Sequence, residues 1–194
     1  MSCMLKEKTK IILTGYRATG KTTIGRLVAL QLDFAFLDTD REIEIRQGRT
    51  ISSMVTENGW PFFRTLERQY LTGLVDRENL VVAPGGGAVL HQDIWQQLME
   101  SSLVVWLRAD ARTIIKRINA DAATPGQRPA LTDADMTTEV KRVLAERDGL
   151  YRAGSHLILN AELEPERLTE AIVACWQSGR SEQQQSKKGW FHKN

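Results

Sequence analysis

Lys10-Ile-Ile-Leu-Thr-Gly15-Tyr-Arg-Ala-Thr-Gly20-Lys21-Thr22-Thr23-Ile-Gly-Arg-Leu27 is the stretch whose reading decides the fold. It meets the phosphate-binding pattern G-x-x-x-x-G-K-[ST] at every fixed position, with an apolar strand before it and an amphipathic helix after it. The physics asks for that order. A strand delivers the chain to a tight turn, glycines let backbone N–H groups approach phosphate oxygens, and the helix N-terminus adds positive potential. The nucleotide cradle is therefore expected from Gly15, Ala18, Thr19, Gly20, Lys21, Thr22 and Thr23. Lys21 lies on the β- and γ-phosphates in this reading, and the Thr22 hydroxyl is offered to Mg2+.

Working outward, residues 10–14 are the first strand, and 21–32 form a helix with Ile24, Leu27, Val28 and Leu32 on one face. The apolar run 34–37 is a second strand that ends in Asp38-Thr39-Asp40, and a charged helical stretch follows as far as Gly48. A short helix over 50–58 is broken by Gly59-Trp60-Pro61, and a longer one covers 62–76. Strand three, 80–84, runs straight into Gly85-Gly86-Gly87; a helix at 93–99, a strand at 103–107 and a helix at 111–118 come next. Residues 119–135 lack apolar periodicity and carry Pro125, Gly126 and Pro129, which reads as a lid or a disordered connection. A helix over 138–150, a fifth strand at 157–159 and a last helix at 164–175 complete one domain over residues 1–176. The polar tail, 177–194, is expected to be disordered.

Short apolar strands alternating with helices imply an α/β fold, a three-layer α/β/α arrangement around a parallel sheet. In such sheets ligands bind beyond the carboxyl ends of the strands. The residues to examine are therefore those just after strands one, two and three.

With 26 basic against 24 acidic residues in 194, the charge of +2 is too even for a nucleic-acid footprint spread over the surface. Cys3 and Cys175 stand far apart with no metal-type spacing, as in a reduced cytoplasmic protein. No apolar run is long enough to span a membrane, and Lys6, Glu7, Lys8 and Lys10 stand where a signal peptide needs its apolar core, so the chain is expected to be soluble and unprocessed.

Asp38 and Asp40 are two residues apart on extended chain and can project to the same side, towards the phosphates. One can reach Mg2+ through water and the other can accept a proton from an attacking hydroxyl. The same residues also fit a helix start, because Thr39-x-x-Glu42 is a capping-box pattern. Gly85 to Gly87 either let a substrate approach the backbone or form a loose turn, and strand three lacks the terminal acid with which many phosphate-loop enzymes hold Mg2+. Arg64 reads by itself as a helix-surface partner of Glu67, and Arg128 as a solvated loop charge. Arg147 is different. It stands seven residues after Val140, on the face that also carries Val143, Leu144 and Tyr151, where the period calls for a hydrophobe. A buried arginine needs an anion.

Taken together these pieces resemble the shikimate kinase family. The matching parts are the phosphate loop, Leu37-Asp38-Thr39-Asp40 with Glu42-Ile43, Gly59-x-x-x-Phe63-Arg64-x-x-Glu67, the triple glycine, Arg128-Pro129 and Arg147-x-x-x-Tyr151, in the family's order from residue 10 to about 165. The resemblance implies a P-loop kinase of the nucleoside-monophosphate-kinase type with a five-stranded parallel sheet in order 2-3-1-4-5. It implies that Asp40, Arg64, Gly86, Gly87 and Arg147 bind shikimate, that Lys21, Asp40 and Arg128 are catalytic, and that Arg117 and Arg128 serve the nucleotide. Thr22 with Asp38 would attend Mg2+, and the partners would be ATP and shikimate, with no nucleic acid or membrane, in a monomer. Family members commonly carry a glycine where Ala18 stands, the segment 121–127 is a few residues longer than usual, and the tail has no counterpart.

Two rivals follow from the same residues. One is a small kinase of similar fold acting on gluconate or a nucleotide. The other is a non-catalytic nucleotide-binding module, against which both Asp40 and Arg128 argue.

Overall fold

The computed structural model describes residues 8–120 and 135–191, the stretch 181–191 as helix backbone only. Five strands, β1 (Lys10–Thr14), β2 (Ala35–Asp38), β3 (Leu80–Ala83), β4 (Ser102–Arg108) and β5 (Leu157–Asn160), form one sheet in the order β2-β3-β1-β4-β5. Every pairing is parallel. The helices are α1 (Lys21–Leu32), α2 (Thr39–Gln47), α3 (Ile51–Thr72), α4 (Gln92–Ser101), α5 (Ala111–Ala120), α6 (Met136–Ala153) and α7 (Pro165–Phe191). This is the expected α/β/α architecture and the expected strand order.

The central strands are mostly apolar because both sheet faces are covered, as parallel sheets require, with Lys10, Thr14 and Ser102 the buried polar exceptions at their ends. β1 and β3 are buried at every residue. Alternate residues feed two cores. Ile12, Val82, Val104 and Trp106 pack with Met54, Phe63, Leu71, Trp95 and Leu98 from α3 and α4. Ile11, Leu13, Val81, Val105 and Leu107 pack with residues of α1, α5, α6 and α7, among them Val28, Ile114, Val143 and Ile172. Helix α6 contributes Val140 and Val143 to the second core and Tyr151 to the first, so it passes across the carboxyl edge of the sheet. No described helix is long and apolar enough to cross a membrane.

Three local readings change. The cap of α2 is Asp38 and not Thr39: Asp38 keeps extended dihedrals (φ −101°, ψ 114°) and its carboxylate accepts from the N–H groups of Asp40 and Arg41. Strand pairing holds the chain extended through Asp38, opposite Ala83, so helical dihedrals begin one residue later. Gly59 does break the helix at the expected place (φ 78°, ψ 168°), but the interruption is a kink and α3 runs on either side of it. The last helix does not stop near Cys175: α7 continues to Phe191, into the tail read as disordered. That tail's Ser-Glu-Gln-Gln-Gln-Ser-Lys-Lys is polar yet mostly helix-compatible, and no proline interrupts it.

Candidate functional site

The phosphate loop joins β1 to α1 at the carboxyl edge. Gly15 has φ +138°, and a Cβ there would stand 2.6 Å from the Leu107 carbonyl oxygen, so only glycine fits. Ala18 takes the left-handed conformation at φ 61°, which a glycine would adopt more easily. The loop is held from within by the buried Thr19 hydroxyl, which donates to Tyr16 O at 2.8 Å. Arg117 reaches it from α5, donating to Ala18 O at 3.3 Å and to Ala161 O at 2.8 Å. Lys21 Nζ curls into the loop and donates to the Gly15 and Tyr16 carbonyls, both at 2.9 Å. Helices α2, α3 and α6 start under side-chain caps from Asp38, Thr50 and Asp135, whereas α1 starts at Gly20 with no side-chain cap and no acid in its first turn. Its N–H groups and the positive end of its dipole thus suit an anionic ligand. Thr23, in the same turn, is exposed.

Thr22 and Asp38 meet at the mouth of this loop, with Thr22 Oγ1 donating to Asp38 Oδ2 at 3.0 Å. Among the described residues no group of three or more His, Cys, Asp or Glu is arranged to hold a metal ion. A hydroxyl beside one carboxylate is a hard, oxygen-only pair, and its chemistry suits Mg2+.

A second set of residues gathers around the glycine run after β3. Gly85 N–H donates to the buried Thr39 hydroxyl at 3.3 Å, so this glycine's N–H is engaged within the protein. A Cβ on Gly85 would stand 2.7 Å from Asp40 Oδ1 and 2.8 Å from Glu67 Oε1, which places both carboxylates against its backbone. Gly86 lies against the phosphate loop, since a Cβ on it would be 3.2 Å from Gly15 O and 3.6 Å from Tyr16 Cα. A Cβ on Gly87 would be 2.5 Å from Arg64 Cζ, within the guanidinium itself.

Arg147, marked by the helical period, is indeed buried on the inner face of α6 (8% exposed). Its Nη1 donates to the Gly86 carbonyl at 3.0 Å, and the Tyr151 hydroxyl donates to the same oxygen at 2.6 Å. Burial pushes the Tyr151 phenol above its ordinary pKa and the Arg147 charge pulls part of the way back, so the phenol stays a neutral donor. Arg64 makes the pair with Glu67 that its spacing suggests, at 2.5 Å. That pair is no surface ornament, because the Glu67 side chain is 1% exposed. Asp40, Arg64 and Arg147 are therefore gathered around the glycine run, which adjoins the phosphate loop. Arg128 and most of the 119–135 segment lie outside the described residues.

Sequence reasoning gave no site role to four contributors, Glu67, His91, Arg17 and Glu139. Glu67 was visible only as Arg64's neighbour; its burial and its second partner, His91 Nε2 at 3.0 Å, come from the fold. Glu139, 2% exposed on α6, faces Arg17 of the phosphate loop at 3.6 Å. It stands eight residues before Arg147, close to the same helical face, and that spacing is the signal that could have found it.

The family model described as Shikimate kinase matches residues 17–177. A curated relative, Shikimate kinase 2 of Enterobacter sp. (strain 638), is 39% identical over 165 residues, covering 85% of this chain and 94% of that protein. Shikimate kinase of Oleidesulfovibrio alaskensis is 40% identical over 152 residues, 78% of this chain and 88% of that one. The solved structure of shikimate kinase from Acinetobacter baumannii in complex with shikimate superposes with a TM-score of 0.80 at 32% identity, covering 88% of this chain and 94% of that chain. With its phosphate loop, its glycine run and these matches over most of its length, the chain belongs to the shikimate kinase family.

Proposed function

We propose that the protein transfers the γ-phosphoryl of ATP to the 3-hydroxyl of shikimate, giving shikimate 3-phosphate and ADP. The observation that carries this reading is the contact between two differently built sites. An uncapped helix start with a P-loop lysine abuts, through Gly15 and Gly86, a glycine run on which two arginines converge. Such an arrangement suits a small hydroxylated carboxylate, because arginine forks match carboxylate geometry. The A. baumannii relative, solved with shikimate, supports the choice of acid.

Phosphoryl transfer asks the protein mainly for positioning and charge stabilisation. Lys21 moves from the loop carbonyls to the β- and γ-phosphates when these occupy the cradle. Gly15, Ala18, Thr19, Gly20, Thr22 and Thr23 surround the phosphates, and Arg117 flanks the adenine side. Arg64 and Arg147, with Gly86 and Gly87, hold the shikimate carboxylate and so turn its hydroxyls towards the loop. Asp40 accepts the proton of the attacking 3-hydroxyl. Arg128 supplies a second cation to the transferring group. Thr22 and Asp38 would hold Mg2+, which would supply charge neutralisation at the phosphates. Cys175 is free and half-buried, which suits action in the reducing cytoplasm, and we take the protein to act as a monomer.

A coupled ADP-release assay with shikimate, gluconate and nucleoside monophosphates side by side tests the proposal. Release that depends on shikimate alone is expected. Faster release with gluconate or a nucleotide would move the protein to a neighbouring activity.

A further inference from the structure

The stretch from Gly85 to His91 is one closed turn. Ala88 N–H donates to Gly85 O at 3.0 Å, Leu90 N–H to Gly87 O at 2.9 Å and His91 N–H to Ala88 O at 3.1 Å. Beside the contact of Gly85 with Glu67, this turn meets α3 at two further points. At one, Gly87 lies against the Arg64 guanidinium; at the other, His91 Nε2 lies 3.0 Å from Glu67 Oε2. Arg64 Nη1 donates to that same Oε2 at 2.5 Å. The other oxygen, Glu67 Oε1, is buried against Gly85 without a hydrogen-bond partner among the described residues. The Glu67 carboxylate is thus held through one oxygen by two donors, one from its own helix and one from the far end of the glycine turn. His91 is itself well covered, with 11% of its side chain exposed.

We infer that His91 is a positioning residue for the carboxylate pocket: through Glu67 it fixes the direction of the Arg64 guanidinium and its spacing from the glycine run. This rests on the reading that Arg64 receives the shikimate carboxylate. A carboxylate held by a single donor can swing about its Cγ–Cδ bond, and Arg64 then turns with it. Two donors from separate elements remove that freedom. Because the nucleotide cradle lies on the other side of Gly86, loss of His91 should be felt by shikimate and not by ATP.

The test compares His91→Leu, His91→Gln and Arg64→Ala with the parent in steady-state kinetics, with both substrates varied and thermal unfolding measured alongside. His91→Leu should raise the KM for shikimate about fivefold or more, the factor that loss of one hydrogen bond conveys, with kcat and the KM for ATP within about twofold. His91→Gln retains an N–H donor and should recover most of the loss. Unchanged shikimate KM in His91→Leu, while Arg64→Ala raises it, would overturn this inference and leave the pocket assignment standing. Unchanged shikimate KM in Arg64→Ala would overturn the pocket assignment and the inference with it. Equal weakening of both substrates with a lowered Tm, and no recovery by Gln, would make His91 a fold element only.

Discussion

Replacing Arg147 by alanine separates a substrate clamp from a structural strut. Its guanidinium is buried and donates to the Gly86 carbonyl at 3.0 Å, but that carbonyl also accepts from Tyr151 at 2.6 Å. Removing Arg147 therefore leaves no orphaned acceptor, and the structural loss is one hydrogen bond from a charged donor, about 1.5–3 kcal/mol. In a domain of this size that lowers Tm by about 3–12 °C. The substrate loses a comparable amount. A hydrogen bond between charged partners contributes about 1.5–3 kcal/mol, so shikimate affinity should fall about ten- to a hundredfold. ATP affinity should hold within about twofold, because Lys21 and the start of α1 belong to other elements. Arg147→Lys should recover part of the loss, since an ammonium keeps the charge without the planar fork. Titration calorimetry with each substrate and thermal unfolding of the same preparations give the comparison. A strongly destabilised Ala variant that loses both affinities in proportion would refute the clamp.

Lys21→Met and Asp40→Asn should stay folded yet lose most turnover; near-normal kcat in Asp40→Asn would remove the carboxylate from the proton-accepting role. Asp38→Ala should cost about 1 kcal/mol through loss of the α2 cap and raise the Mg2+ concentration needed for half-maximal activity, and an unchanged Mg2+ requirement would separate Asp38 from the metal. Ala18→Gly relieves a left-handed alanine worth about 1–2 kcal/mol but adds about 0.4–1 kcal/mol of unfolded-chain entropy, so Tm should rise slightly; a fall would show that the loop tolerates Ala18 without strain. His156 has its pKa lowered, first by burial and then by Lys8, and its Nδ1 accepts from Val104 N–H at 3.1 Å. A histidine whose folded pKa is depressed contributes stability above its unfolded pKa, near 6.5, and loses it as pH falls through the folded value. Tm should therefore drop on acidification below about pH 6.5 and do so less steeply in His156→Asn; identical slopes would contradict this.

Much of the fold was legible because its signals are local. The strand-loop-helix at Gly15 to Thr22, the apolar runs and the break at Gly59 each depend on residues close together in the chain. The strand order entered through the family resemblance, since periodicity by itself does not order strands. Arg147 was legible because a cation interrupted an apolar face. Glu67 with His91 and Arg17 with Glu139 were not, because each pair joins residues far apart in sequence and no periodicity links them. The end of α7 lies beyond the apolar pattern for another reason: a polar segment without proline can still be helical.

The central claim is the identity of the acceptor. A rapid-quench single turnover with ATP labelled in its γ-phosphoryl, an equal mixture of shikimate, gluconate and AMP, and excess protein reads it directly. The label should appear in shikimate 3-phosphate in the parent and stay in ATP in Lys21→Met. Label in gluconate or AMP, or label released as inorganic phosphate with shikimate untouched, would contradict the account.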